Sequence, residues 1–201
     1  MNRPWHKLNI DISKAIKDES AIYALKGNLS MDRWSFNKQA LTDIFNEEWI
    51  SYMASLGLNL DGACIFYRDV SHAVDPAAHT DLYNKYKNSK PVFAINWMLG
   101  NNDSEMVWYD AEKVGEGVLT YDERKNDTFI EHADVENIDD LEISRCCIQN
   151  KPVMLSICIP HNIAMGTRTR WCISVRSVYD KKIQTWNDAV EHYKELIDDT
   201  K

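Results

Sequence analysis

Apolar residues recur at helical spacing along the first third of the chain. Across residues 10–26 they fall at Ile12, Ala15, Ile16, Ile22 and Leu25, with serine and aspartate at hand as caps. Across residues 34–56 they fall at Phe36, Leu41, Ile44, Phe45, Trp49, Ile50 and Met53, and stop near Gly57. This spacing predicts one or two amphipathic helices that pack on a sheet. Residues 62–68 then turn to strand formers (GACIFYR), and residues 91–99 form a second apolar strand. Gly100-Asn101-Asn102-Asp103 is a strong turn signal after it, which makes residues 104–109 the expected hairpin partner. Residues 117–121 read as a short strand and the acidic residues 126–140 as an exposed loop. Residues 141–148 and 153–159 read as two strands joined at Gln149-Asn150-Lys151-Pro152, and residues 171–179 as the last strand. Residues 184–197 close with a helical pattern of Trp186, Ala189, Val190, Tyr193, Leu196 and Ile197.

Seven or eight short strands that follow one another without intervening helices exclude a parallel βαβ sheet. They predict a mainly β fold with flanking helices, a β-sandwich or jelly-roll barrel. Over 201 residues this is one domain. Residues 1–61 would be a helical support, 62–179 the β core and 180–201 a C-terminal helix. No glycine-rich phosphate loop or dinucleotide fingerprint is present.

Composition adds constraints. With 44% hydrophobic and 27% charged residues the chain is an ordinary globular one. A net charge of −8 disfavours nucleic acid and anionic membranes as partners. The cluster Arg168, Arg170, Arg176 and Lys181-Lys182 is a local exception. The amino terminus has no signal-like apolar stretch, and no run approaches a membrane span. A cytoplasmic location is expected (the host cytoplasm if the chain is viral). The five cysteines lack CxxC spacing, as expected for reduced thiols rather than a zinc site.

The chemistry concentrates in His79-Thr80-Asp81 and in Ile159-Pro160-His161-Asn162. In an extended segment, residues i and i+2 point to one side, so His79 and Asp81 can grip one ion together. His161 closes an apolar, strand-like run over residues 152–160 and supplies a second imidazole. Two histidines and one carboxylate cover one face of an octahedral Fe(II) and leave three positions open. Nine residues on, Arg170 begins the alternating segment Arg170-Trp171-Cys172-Ile173-Ser174-Val175-Arg176, suited to a dicarboxylate co-substrate. Together these residues suggest an oxygenase. A second HxD, His132-Ala133-Asp134, sits amid charges and too close to His161 to compete.

In this order the motifs resemble the Fe(II)/2-oxoglutarate-dependent oxygenase superfamily, and most nearly its small, prolyl-hydroxylase-like members from phages and cyanobacteria. The resemblance covers residues 62–179 and includes Ala94-Ile95-Asn96-Trp97, Val107-Trp108-Tyr109 and Asn150-Lys151-Pro152. It implies a double-stranded β-helix core in which His79, Asp81 and His161 hold Fe(II). It implies a dioxygenase that hydroxylates its substrate while 2-oxoglutarate becomes succinate and CO2. By the same resemblance Arg170 binds the far carboxylate of 2-oxoglutarate, with Ser174 as a same-face hydroxyl. Arg176 has the spacing of another subgroup and Arg168 ranks third; the resemblance also implies that Tyr67 contacts the co-substrate. Asn96 interrupts an apolar strand, so if buried it must bond a ligand or the neighbouring backbone. A peptide or protein side chain is the first expectation for substrate, a small metabolite the second and nucleic acid the third. Two other readings stay open here. One is a non-catalytic jelly-roll binding or structural protein. The other is a cupin-like metal enzyme without 2-oxoglutarate, for which His72 is near but the glycine pattern is missing.

Overall fold

A computed structural model describes residues 3–24, 34–69, 77–82, 92–122, 127–132, 135–149, 151–177, 180 and 182–199. In chain order its elements are β1 (Trp5–Lys7), α1 (Glu19–Ala24), β2 (Trp34–Gln39), α2 (Leu41–Ile44) and α3 (Glu47–Ser55). Then come β3 (Leu60–Arg68), β4 (Ala78–Leu82), β5 (Phe93–Met98), β6 (Glu105–Tyr109) and α4 (Ala111–Val114). The remainder is β7 (Val118–Asp122), β8 (Asp127–His132), β9 (Glu142–Cys147), β10 (Val153–Ser156), β11 (His161–Ala164), β12 (Arg170–Ser177) and α5 (Trp186–His192).

The strands form two antiparallel sheets, in the orders β1-β10-β5-β12-β3-β2 and β7-β8-β4-β11-β6-β9. The pairings nest along the chain, β3 with β12, β4 with β11, β5 with β10 and β6 with β9. The fold is therefore mainly β, as the strand pattern predicts, with its sheets arranged as a sandwich.

Alternation along the strands of the first sheet feeds two cores. One set, including Ile65, Tyr67, Phe93, Ile95, Trp97, Met154, Trp171, Ile173 and Val175, packs beneath Phe45, Trp49, Met53, Ala189 and Tyr193 of the helical layer. The opposite set, including Val153 and Leu155, meets Met106, Trp108 and Cys146 of the second sheet and Ile148 just beyond β9. Sheets buried on both faces need near-continuous apolar strands, and β5 and β10 comply.

Several elements depart from the expected pattern. Residues 104–109 do not form a hairpin with the strand before them, because β5 is already flanked by β10 and β12. The turn instead crosses to the second sheet, where Asn102 Oδ1 accepts from Ser104 Oγ at 2.7 Å. The segment joining β9 to β10 crosses in the same way. Residues 34–39 form an edge strand, not a helix, since pairing of Phe36 opposite Phe66 overrides their helical spacing. Helix α1 is short, and residues 25 and 26, where the first helix was expected to run out, lie outside the described residues. The acidic loop contains β8 and a 3-10 turn at Ile138–Leu141. Residues 153–159 are strand only to Ser156, and His161 opens a new strand rather than closing one. The N-terminal support contributes β1 and β2 to the first sheet. The closing helix runs as α5, with a Thr185–Asp188 capping box, then a 3-10 turn.

Among the described residues no helix is long and apolar enough to cross a membrane. Trp97, 1% exposed between the first sheet and the helical layer, fills the centre of the larger core. Trp97→Ala is expected to cost about 3–5 kcal/mol, read as a lower urea midpoint with an unchanged slope.

Candidate metal centre

Strand β4 lies inside the second sheet, between β8 and β11. His79 and Asp81 share one face of it, and His161 stands directly opposite His79 in the antiparallel register. Their ring centroids are 4.6 Å apart at an interplanar angle of 50°. His79 Nε2 is 3.7 Å from Asp81 Oδ1, and the three side chains bring one ligand atom each within 4.8 Å of the others. His161 is buried and the other two are half-buried. The group can bind a metal ion.

The rings are oriented for that task. His161 Nδ1 lies 2.8 Å from the carbonyl oxygen of Ile159, and His79 Nδ1 lies 3.3 Å from that of Ala77. A carbonyl only accepts, so the proton is assigned to Nδ1 in each ring and the Nε2 lone pair is left for an ion. Asp81 is oriented as well. Arg176 Nη2 donates to its Oδ2 at 2.8 Å, which leaves Oδ1 turned toward His79. The Asp81 amide donates to Ile157 O at 3.1 Å, tying β4 to the bend that precedes His161. Trp108, opposite His161 on β6, donates through Nε1 to Ser156 O at 2.9 Å. On the far face Tyr109 Oη donates to Asn162 Oδ1 at 2.9 Å.

The arginine strand faces this group from the first sheet. Arg170, Ser174 and Arg176 share one face of β12, as their parity predicts, and that face is turned to the second sheet by the Arg176–Asp81 pair. Arg170 is 3% exposed and its Nε has no hydrogen-bond partner. Arg68, also buried, stands opposite it on β3, and Asn96 stands opposite Ser174 on β5 with Oδ1 unpartnered. Arg176 is thus at the metal end of the strand. Arg170 is six residues earlier on the same face, its Cα about 20 Å from that of Arg176 at the usual rise.

Other candidates fall elsewhere. Tyr67 is on the opposite face of β3, packed on Trp171 with centroids 4.6 Å apart, and its hydroxyl donates to Asp69 at 2.7 Å. It is not brought to the metal group. Arg168 sits exposed in the loop before β12. His132 is on the far face of the second sheet, 3.3 Å from Thr80 Oγ1, with burial pushing its pKa down. Its partner Asp134, like His72 and Lys181, lies outside the described residues. Sequence reasoning passed over Arg68 and Phe129, whose ring meets His79 edge-on at 5.9 Å. Parity within each strand was visible, but the register between strands was not.

A clamp holds the loop that joins the His161 strand to the arginine strand. Asp103 Oδ2 accepts from Thr167 N at 2.8 Å and Thr167 Oγ1 at 2.7 Å, and Oδ1 accepts from Arg168 N at 3.1 Å. Gly166 is required beside it, since a Cβ there would lie 2.3 Å from Asp103 Cγ. The Thr167 hydroxyl and amide hold the Asp103 carboxyl below its ordinary pKa.

No family model matches this chain, and no curated protein matches it. The case for its chemistry therefore rests on the residues themselves.

Two outcomes are expected. Asp81→Ala and His161→Ala should each weaken anaerobic Fe(II) binding by more than about 100-fold in calorimetry, beyond the cost of losing an outer partner. The Asp103 clamp should hold above the ordinary carboxyl pKa and fail as pH falls through the depressed one. Asp103→Asn should therefore flatten the acid side of the urea-stability profile; an unaltered acid slope would remove the clamp from the account.

Proposed function

We propose that this protein is an Fe(II)- and 2-oxoglutarate-dependent dioxygenase that hydroxylates a small molecule or a peptide side chain. The observation that carries this reading is a facial His79–Asp81–His161 group faced by a buried arginine strand. A carboxylate-containing triad with free positions suits non-haem Fe(II). The nested pairing of eight strands across two sheets supports a double-stranded β-helix, because a long hairpin rolled into two layers has that order.

The donor set fits the metal, and the inner wall of the first sheet fits the co-substrate. Bound there, Fe(II) would supply, with 2-oxoglutarate and O2 as co-substrates, oxidative decarboxylation to succinate and CO2, one oxygen atom of O2 entering succinate and the other a substrate C–H bond. The chain's own residues prepare the site. Nδ1 hydrogen bonds fix both imidazoles, and Arg176 orients Asp81. Arg170 offers the distal carboxylate of 2-oxoglutarate a planar, buried donor with an unused N–H. Arg68 adds positive charge beside it, while Ser174 and Asn96 line the stretch between the two ends. Trp108, Val153 and Leu155 close the interior to water behind the metal group.

The test is an anaerobic titration with Fe(II) and then 2-oxoglutarate, followed by the visible charge-transfer band of the chelate. The band should appear, and Arg170→Ala should raise the 2-oxoglutarate concentration needed by about 10–100-fold with iron affinity intact, as for loss of a charged hydrogen bond. Iron binding without the band would favour a cupin-like metal enzyme. Absence of both would favour a binding or structural protein.

A further inference from the structure

The metal-bearing face of the second sheet continues past β4. Glu131 of β8 stands opposite His79, and Phe129 opposite Asp81. On β7, Val118 stands opposite Glu131 and Thr120 opposite Phe129. Residues opposite one another in a ladder share a face, so these four extend the metal-bearing surface sideways, on the side of β4 away from His161. The surface passes from the half-buried His79, Phe129 and Glu131 to Val118, which is 69% exposed on an edge strand. It has the form of an open shelf leading to the metal group.

Its chemistry is specific. Asp81 already has a cation in Arg176. Glu131 has none among the described residues, and accepts a long 3.4 Å hydrogen bond from Thr120 Oγ1. Its two ladder neighbours, His79 and Val118, include no lysine or arginine that would explain a structural carboxylate there. A half-buried carboxylate without a counter-ion is a ready acceptor for a cationic group. Phe129, two residues from Glu131 on β8 and opposite Asp81, supplies a ring beside both that carboxylate and the metal group, along which an aliphatic stem or a cation can lie.

We propose that Glu131, Phe129 and Thr120 form the substrate shelf of this site, and that its substrate carries an amine or guanidinium on an aliphatic stem. The cation pairs with Glu131 and the stem runs over Phe129 toward the metal group. This names the substrate class of the dioxygenase reading and rests on it for the reaction, but not for the binding. The net charge of −8 favours approach of such a cation.

Calorimetric or NMR titration of the purified full chain tests this. The probes are arginine and lysine, each free and within a capped Gly-X-Gly tripeptide, against citrulline and norleucine in the same two forms. At least one cationic probe should bind at least about tenfold more tightly than its neutral counterpart, the scale of a single charged hydrogen bond. Which form binds distinguishes a free amino acid from a peptide-borne side chain. Glu131→Gln should abolish the preference and Glu131→Asp should keep part of it. Phe129→Ala should weaken charged and neutral probes alike. Equal binding of cationic and neutral probes, binding of neither, or a preference that survives Glu131→Gln would overturn the inference. A charge-transfer band without cation preference would sink the shelf and leave the dioxygenase reading standing; cation preference without the band would do the reverse.

Discussion

The register of β11 against β4 is the constraint on which the site depends. His79 and His161 lie 82 positions apart in the chain and meet because they are ladder partners. Side chains alternate across a strand, so a slip of one residue would send His161 to the opposite face and bring Asn162 inward. Buried anchors oppose that slip. Trp108, fully buried opposite His161, holds Ser156 O through its indole N–H, and Tyr109 holds Asn162 on the far side. The hydrophobic interior is therefore also the device that brings the two imidazoles together.

Charge is distributed as unevenly as packing. An acidic protein places Arg68 and Arg170 side by side on a buried face, with Arg176 further along the same wall. Adjacent buried guanidinium groups repel one another and have lost hydration, so such a pair is costly to bury. Arg176 does its part by pairing with Asp81, leaving one carboxylate oxygen in line with the imidazoles. One strand thus both orients Asp81 and carries Arg170, whose neighbour across the ladder on the inner wall is Arg68.

Much of the site was legible in the sequence because its rules are local. The i, i+2 relation of His79 and Asp81 and the shared parity of Arg170, Ser174 and Arg176 follow from strand geometry, and both hold in the structure. What was not legible depends on which strands become neighbours. Tyr67 and Arg68 are adjacent in sequence, yet one faces the helical layer and the other the inner wall. Choosing between them requires the pairing with β12. The placing of Arg176 beside Asp81 likewise depends on how the two sheets face. The turn before β6 was recognised as a turn, but its sheet crossing reflects the occupied edges of β5. Helical spacing misled at β2, where an edge position beside β3 outweighed local periodicity.

Strand β12 is the last in sequence and lies near the middle of its sheet. Among the described strands, it alone joins the β2–β3 ribbon to the β5–β10–β1 ribbon. During synthesis both ribbons must wait with open edges, and open edges are templates for wrong pairing. Closure needs contacts between distant parts of the chain, which slows folding. The strand that carries the arginines is also the keystone whose late arrival makes the two half-sheets one.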